Sequence, residues 1–443
     1  MTEIFGPATM AILMFVGLLI GIFLGGPLAF VLGGLAVIFG LISWGPSCFA
    51  LFVNRIVGVT DNFILVAIPM FILMANLLMY SGVADDLFDS LRYLLGRMRG
   101  GIALAVVVVC TVFAACTGVV GASVVSMGLL ALPMMLRYGY DKKLTAGVIM
   151  AGGTLGILIP PSIMLIVMGD ITGLSVGKLY IGSVVPGLVL SVLFIIYIAI
   201  RCGLRPELGP PLSPEELQAI PVKKRLLMAS KSLVPPMILI LGVLGAIFTG
   251  VATATEAAGL GACLALGMTV GYGKCSWKMI KETTISTAKT VSMVMIIIVG
   301  VTCFTGVFMG IGGGKALTSM MLALGLGKWG TFFVMNVIVF FLGALIDWIG
   351  IVYIVFPIFM PIVAELGFDP IWFVVMMAVN LQTSFVSPPF GYALFYMKGI
   401  AADKMTTEEI YASIIPFICL QLGGLIICCL FPELILGPAS WIK

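Results

Sequence analysis

The chain has 443 residues, of which 61% are hydrophobic and 9% charged, and its formal net charge is +4. Soluble domains carry roughly 25% charged residues, so this composition excludes a soluble globule, a disordered chain, a nucleic-acid binder and a peripheral amphipathic protein. Histidine is absent, which removes imidazole catalysis and His-ligated metals. The cysteines lack metal-type spacing. We predict an all-α polytopic membrane protein that is not an enzyme and has no cofactor and no transition-metal site.

The uncharged stretches of the first 200 residues predict the spans in chain order. A membrane helix needs about 20 apolar residues, and two spans fit before Arg55 and a third before Asp85. The stretch from Arg99 to Arg137 is too long for one span and has glycines at its centre. It predicts a helical hairpin over about 101–137 with both ends on one side of the membrane. A broken span over about 144–168 and a last span complete residues 1–200.

A polar segment separates this half from a similar second half. Residues 201–232 carry the prolines and charges of a surface linker. Residues 233–443 predict three spans, a hairpin over about 329–364, a broken span over about 370–397 and a last span. The residues Pro133 and Pro361, and likewise Pro160 and Pro388, are separated by the same offset, which indicates an internal repeat.

The number of crossings fixes the relation between the halves. Each half crosses an odd number of times, so the second half enters from the opposite side, as in inverted-topology repeats of secondary transporters. Lys and Arg concentrate in the loops that become cytoplasmic when both termini are periplasmic. We therefore expect a multi-pass protein of the bacterial inner membrane, with both termini periplasmic and residues 201–232 cytoplasmic.

Two double prolines lie inside uncharged spans, at Pro160-Pro161 and Pro388-Pro389. Two consecutive prolines remove two backbone donors and break a helix, and the freed carbonyls are tolerated only beside protein, water or ions. Such oxygens suit Na⁺, although a simple kink is the alternative. Asp347, deep in the second hairpin, predicts an ion or substrate role or a helix cap. For Glu256 capping is at least as plausible as function.

No nucleotide-binding loop is present, because Gly312-Gly313-Gly314-Lys315 is followed by alanine and lacks the required spacing. Transport would therefore be driven by a gradient. Without any Lys or Arg at mid-membrane, an anionic substrate can lie against the N-terminal ends of helices at the hairpin turns.

Three motifs carry a resemblance to a known family. They are residues 250–257 (GVATATEA), Gly153 to Gly156 running on to Pro160-Pro161-Ser162, and Gly367 to Pro370 running on to Pro388 to Gly391. Over essentially its whole length the chain resembles the large membrane subunit of tripartite ATP-independent periplasmic (TRAP) transporters. The resemblance implies an elevator-type transporter with scaffold and transport domains, built from two inverted repeats that each hold a re-entrant hairpin and a broken helix.

The resemblance also implies Na⁺ coupling, with one ion between each hairpin tip and its broken helix. The positions implied for Na⁺ are Thr117, Ser123, Gly156, Ile159 and Pro161 in the first half and Gly343, Asp347, Thr383, Ser384 and Pro389 in the second. The polar residues expected to contact substrate are Thr154, Ser162, Asn380 and Ser387.

The expected activity is Na⁺-coupled uptake of a small organic anion of the carboxylate class. The family implies two partners, a separate small four-helix membrane subunit and a periplasmic substrate-binding protein that delivers the anion. The alternative is a stand-alone Na⁺/carboxylate symporter that needs no binding protein. A passive channel or an intramembrane enzyme is a third hypothesis. The sequence does not identify the substrate.

Overall fold

A computed structural model of the chain describes residues 6–118, 120–218, 220–388 and 391–442. Every regular element in these ranges is a helix, and nine helical stretches among them are long and apolar enough to cross a membrane. The prediction of an all-α polytopic membrane protein is confirmed.

The N-terminal part consists of five helices. They are α1 (Pro7–Phe23), α2 (Leu28–Trp44), α3 (Cys48–Thr60), α4 (Ala67–Ser81) and α5 (Val83–Leu95). The region around Arg55, expected as a loop, is helix α3. It is separated from α2 by Gly45, whose φ of 61° ends the preceding helix. Helix α5 is amphipathic, with Asp85 and Asp86 in its first turn and Arg92 in its last, which suits a helix at the membrane surface.

Two helices then form what we call the first helix pair, α6 (Gly101–Thr117) and α7 (Val120–Arg137). Helix α6 ends because Gly118 adopts a left-handed conformation and its N–H bonds back to Ala114 O. An interrupted helix follows, α8 (Lys142–Thr154) and α9 (Ile163–Thr172). Residues 155–162 between them, the first break, include both prolines. Ser162 begins α9 as its N-cap.

The long helix α10 (Val176–Leu204), the short α11 (Pro214–Gln218) and α12 (Val222–Phe248) come next. The connection between the long helices is therefore residues 205–221, narrower than the predicted linker 201–232, because helical structure continues into its charged ends. Backbone bonds bind this connection to the base of the first helix pair: Gly100 N donates to Gly209 O and Leu212 N to Gly96 O, both at 2.8 Å.

The remaining chain contains nine helices. They are α13 (Ala254–Gly271), α14 (Trp277–Gly310), α15 (Gly313–Ala323), α16 (Gly327–Gly343), α17 (Trp348–Glu365), α18 (Pro370–Ser384), α19 (Tyr392–Ala401), α20 (Thr407–Leu430) and α21 (Glu433–Ala439). We call α16 and α17 the second helix pair. Helices α18 and α19 flank the second break, residues 385–391, of which 389 and 390 lie outside the described residues.

The interrupted helices occupy the interior of the bundle. Helix α8 is buried from Leu144 to Thr154, and α18 from Trp372 to Ser384. The first break is buried throughout. By contrast, α1, α2 and α12 carry many exposed apolar side chains, such as Ile20, Phe30 and Leu241, as expected for helices that face lipid. The first break therefore faces protein, a setting that tolerates freed backbone carbonyls at membrane depth.

Candidate ion and substrate site

The turn of the first helix pair lies directly on the first break. A Cβ atom added at Gly118 would lie 2.5 Å from Pro161 O, so only glycine permits this approach. Behind the contact, the Ser162 hydroxyl bonds to Ile157 O, and the Tyr180 hydroxyl donates to Ser162 O at 3.1 Å. These two bonds use the carbonyls of Ile157 and Ser162 within the protein. The Pro161 carbonyl faces the turn.

Two hydroxyl groups flank the same turn. Thr117 Oγ1 and Ser123 Oγ lie 3.0 Å apart, and both side chains are buried. Thr117 Oγ1 also donates to Phe113 O at 3.0 Å, so Ser123 is the donor between the pair. Lone pairs on Thr117 then remain for another partner. The structure thus brings the hydroxyls of the first turn close to Pro161. Gly156 and Ile159, also predicted here, lie in the same buried break.

The second helix pair approaches its own interrupted helix in a similar way. A Cβ atom added at Gly343 would lie 2.7 Å from Ser384 Oγ. Ser384 Oγ donates to Asn380 O at 3.1 Å, and Thr383 Oγ1 donates to Val379 O at 3.3 Å. These hydroxyl oxygens keep lone pairs free while their protons are used within α18. Pro389, predicted as part of this site, lies outside the described residues.

Asp347 is the residue that precedes α17, in the N-cap position, yet its side chain makes no capping hydrogen bond. The Trp348 and Ile349 N–H groups lie near the carboxylate. Among the described residues no Lys or Arg forms an ion pair with it. Asp369, in contrast, occupies the N-cap of α18 and accepts from Ile371 N at 2.8 Å and Trp372 N at 3.1 Å. The oxygens of Asp347 are therefore more available to an outside partner.

The four residues predicted to contact substrate make bonds within the protein. Thr154 Oγ1 donates to Ala151 O and accepts from Gln421 Nε2. Asn380 Nδ2 donates to Asn336 O at 2.7 Å, and Ser387 Oγ donates to Thr383 O at 2.8 Å. Ser162 is used at the first break. All four side chains are buried.

A cleft of about 270 Å³ opens instead beside the second turn. It is lined by Ala344, Leu345, Gly391, Tyr392 and Phe395, none of which the sequence analysis predicted to contact an ion or the substrate. The signal that could have found them is the aromatic run immediately after the second double proline, at the N-terminus of a half-helix.

Glu256 has a structural explanation. It forms a capping box with Thr253, in which Thr253 N donates to Glu256 Oε2 at 2.8 Å and Glu256 N donates to Thr253 Oγ1 at 3.3 Å. The carboxylate is thereby used to begin α13. The capping interpretation of this residue therefore has direct geometric support.

The groups at the two turns that can bind a cation offer oxygen atoms. Backbone carbonyls, hydroxyls and one carboxylate surround them, and no cluster of three His, Cys, Asp or Glu side chains occurs in the part of the chain that the structure describes. Hard cations prefer oxygen ligands of this kind, whereas transition metals prefer nitrogen and sulfur. The residues present thus fit an alkali cation such as Na⁺.

Comparison with known proteins gives a consistent result. Residues 9–434 match the family model described as "Tripartite ATP-independent periplasmic transporter, DctM component". The C4-dicarboxylate TRAP transporter large permease protein DctM of Pseudomonas aeruginosa is 31% identical over 92% of this chain and 94% of its own length. Its namesake from Vibrio cholerae is 32% identical over 97% and 99%. The isethionate TRAP transporter permease protein DctMQ of Oleidesulfovibrio alaskensis is 31% identical over 84% of this chain but only 58% of its own length.

Among solved structures, the Alcanivorax borkumensis YdaH transporter superposes with a TM-score of 0.61. The superposition covers 92% of this chain and 97% of that one, at 15% sequence identity. At that identity the likeness concerns the fold alone.

Proposed function

The chain belongs to the DctM family of TRAP transporter large permeases, and from this premise we propose that it couples an inward Na⁺ gradient to the uptake of a small organic anion. One observation carries the proposal. Each helix pair presses its turn against an interrupted helix, at Gly118 on Pro161 within the first break and at Gly343 on Ser384, the last residue of α18 before the second break. Both contacts are buried and rich in oxygen, which is the setting for a dehydrated alkali cation.

We assign one Na⁺ to each of these contacts. In the first, Thr117, Ser123 and the carbonyls of the first break supply neutral oxygens. In the second, Asp347 adds a full negative charge beside Gly343 and Ser384. The first site is neutral and the second is anionic. The second should therefore bind Na⁺ more tightly, because the attraction of the carboxylate offsets more of the free-energy cost of dehydrating the ion.

The substrate class follows from the helix ends. Helices α7, α17 and α19 begin at or next to the turns and breaks, and the N-terminal end of a helix favours negative charge. The relatives are named for C4-dicarboxylates and isethionate, both of them small anions. We propose a carboxylate as the substrate of this chain.

For the movement, we propose that the two helix pairs and the two interrupted helices form a transport domain that slides against a scaffold made of α1–α4 and α12–α14. The two halves would be inverted repeats, and both termini would be periplasmic. The contrast between the buried interrupted helices and the lipid-facing α1, α2 and α12 supports this division.

We further propose two partners, a separate small membrane subunit and a periplasmic binding protein that delivers the anion. The relative named DctMQ extends well beyond the region that matches this chain, which leaves room in that protein for a second component.

Uptake by proteoliposomes tests the proposal. Vesicles containing the large and small subunits, supplied with the binding protein loaded with labelled succinate, should accumulate succinate only with an inward Na⁺ gradient. Accumulation that is unchanged when choline replaces Na⁺ would refute the coupling. Equal uptake by this chain without the binding protein would establish the stand-alone symporter instead.

A further inference from the structure

Two tyrosines lie one turn apart in the first turns of α19, Tyr392 and Tyr396. Residues at this spacing share a helix face. Tyr392 is 38% exposed and Tyr396 is partly buried. Neither hydroxyl has a hydrogen-bond partner among the described residues. A phenol O–H at membrane depth ordinarily finds a partner, so both groups are available to a ligand.

The phenol of Tyr396 rests on the turn of the first helix pair. A Cβ atom added at Gly121, in the first turn of α7, would lie 2.9 Å from both Cζ and the hydroxyl oxygen of Tyr396. The absence of a side chain at Gly121 is what gives the phenol its place. The hydroxyl group thus lies beside the first turn of α7, where backbone N–H groups lack partners within the helix.

Tyr392 faces the turn of the second helix pair. Its side chain lines the cleft of about 270 Å³ together with Ala344 and Leu345 of that turn. The Phe385 ring packs edge-on against the Tyr392 ring, with the centroids 5.7 Å apart. This contact orients the Tyr392 ring. Helix α19 therefore places one tyrosine side chain beside each turn.

The charge that acts on the two phenols is negative. The Asp347 carboxylate lies within electrostatic reach of both. A bound anion here would be repelled by Asp347 unless a cation neutralised that residue. Neutral hydroxyl donors avoid the cost of burying a permanent positive charge when the site is empty.

We infer that Tyr392 and Tyr396 donate hydrogen bonds to the anionic group of the transported substrate, which binds along α19 from the cleft beside the second turn, lined by Tyr392, toward Tyr396 beside the first turn. This inference rests on the proposed function, because it identifies donors for the anion whose uptake is proposed there. Hydrogen bonds from a neutral hydroxyl to a carboxylate are charge-assisted and stronger than neutral ones.

Tyr→Phe substitutions isolate the two hydroxyls, because they keep the rings and their packing. In the proteoliposome assay with labelled succinate, Tyr392→Phe and Tyr396→Phe should each raise the concentration of loaded binding protein needed for half-maximal uptake by about tenfold. Stabilisation of the detergent-solubilised protein by Na⁺ alone should not change. Tyr197→Phe is the control variant, because it removes the hydroxyl of a tyrosine whose ring packs on Phe417 of α20. Its uptake should match that of the wild type.

A second pair of variants tests the placement of Tyr396. Gly121→Ala pushes against the Tyr396 ring, whereas Gly128→Ala, on the same helix, pushes against the flexible end of Ile400. Gly121→Ala should weaken uptake in the manner of Tyr396→Phe, and Gly128→Ala should not.

The outcomes separate the two proposals. If the wild type shows Na⁺-dependent succinate uptake and both Tyr→Phe variants have its half-saturation, this inference is overturned and the proposed function stands. If wild-type vesicles accumulate no succinate, the proposed function fails for this substrate class, and the inference fails with it.

Discussion

The hydroxyl oxygens of Thr117 and Ser123 lie 3.0 Å apart across the turn of the first helix pair, beside the point where Gly118 meets Pro161. If this pair holds Na⁺, removing either oxygen removes one neutral ligand. Thr117→Val and Ser123→Ala should each raise the Na⁺ concentration for half-maximal uptake about three- to tenfold, the range expected for one lost polar interaction.

Thr111 supplies the matched control for this pair. It lies on α6 as well, donates to Val107 O at 2.7 Å and contacts Ser191 Oγ at 3.0 Å, but it is remote from the turn. Thr111→Val should leave the Na⁺ dependence unaltered. An equal effect of Thr111→Val and Thr117→Val would point to helix packing rather than ion binding.

Asp347 and Asp369 both precede helices but differ in their bonds, which makes Asp347→Asn and Asp369→Asn an informative pair. Asn caps helices about as well as Asp, so Asp369→Asn should retain both fold and transport. Asp347→Asn removes the charge beside the proposed second ion, and we expect the Na⁺ concentration for half-maximal uptake to rise by more than about tenfold, since charged partners contribute the larger energies. Uptake measured as a function of Na⁺ concentration distinguishes an ion-binding role of Asp347 from a structural one. Wild-type kinetics in Asp347→Asn would leave the residue with a structural role only.

Several of these features could be predicted from the sequence because they depend on local chemistry. Gaps between charges predict where helices can lie in a membrane, and paired prolines predict where a helix must stop. In the structure α8 ends at Thr154, before Pro160, and α6 ends at Thr117, beside Gly118.

Other features depend on packing between distant segments, and the sequence analysis missed them. The cleft beside Tyr392 exists because the start of α19 lies next to Ala344 and Leu345 of the second turn, and nothing in the local pattern predicts this proximity. The sequence also did not predict that Thr154 and Asn380 bond to Gln421 and Asn336 on neighbouring helices; their contact with substrate stays a prediction. Helix α3 was missed because Arg55 interrupts the apolar pattern on which span prediction relies.

Gly118 and Gly173 provide a test of the contact between the first turn and the first break. Their φ angles are 63° and 68°, so alanine at either position carries similar left-handed strain, about 1 kcal/mol. Only at Gly118 does an added Cβ also meet a backbone carbonyl, that of Pro161. Gly173→Ala should lower the unfolding temperature slightly and preserve Na⁺ affinity. Gly118→Ala should lower both the unfolding temperature and the Na⁺ affinity, as measured by thermal unfolding with and without Na⁺. Identical behaviour of the two variants would mean that the contact has no part in ion binding.

Glu256 lies in a motif shared with the family, so its role as a cap can be tested against an equivalent cap elsewhere. Glu409 forms the same reciprocal bonds with Thr406 at the start of α20, at 2.9 and 3.2 Å. If Glu256 acts only by capping α13, then Glu256→Ala and Glu409→Ala should lower the unfolding temperature by similar small amounts, because each loses one carboxylate that satisfies a free N–H. The concentrations of Na⁺ and of loaded binding protein for half-maximal uptake should stay at wild-type values in both. A rise in either concentration for Glu256→Ala alone would assign this carboxylate a role in transport as well, since both helix starts have the same reciprocal capping bonds.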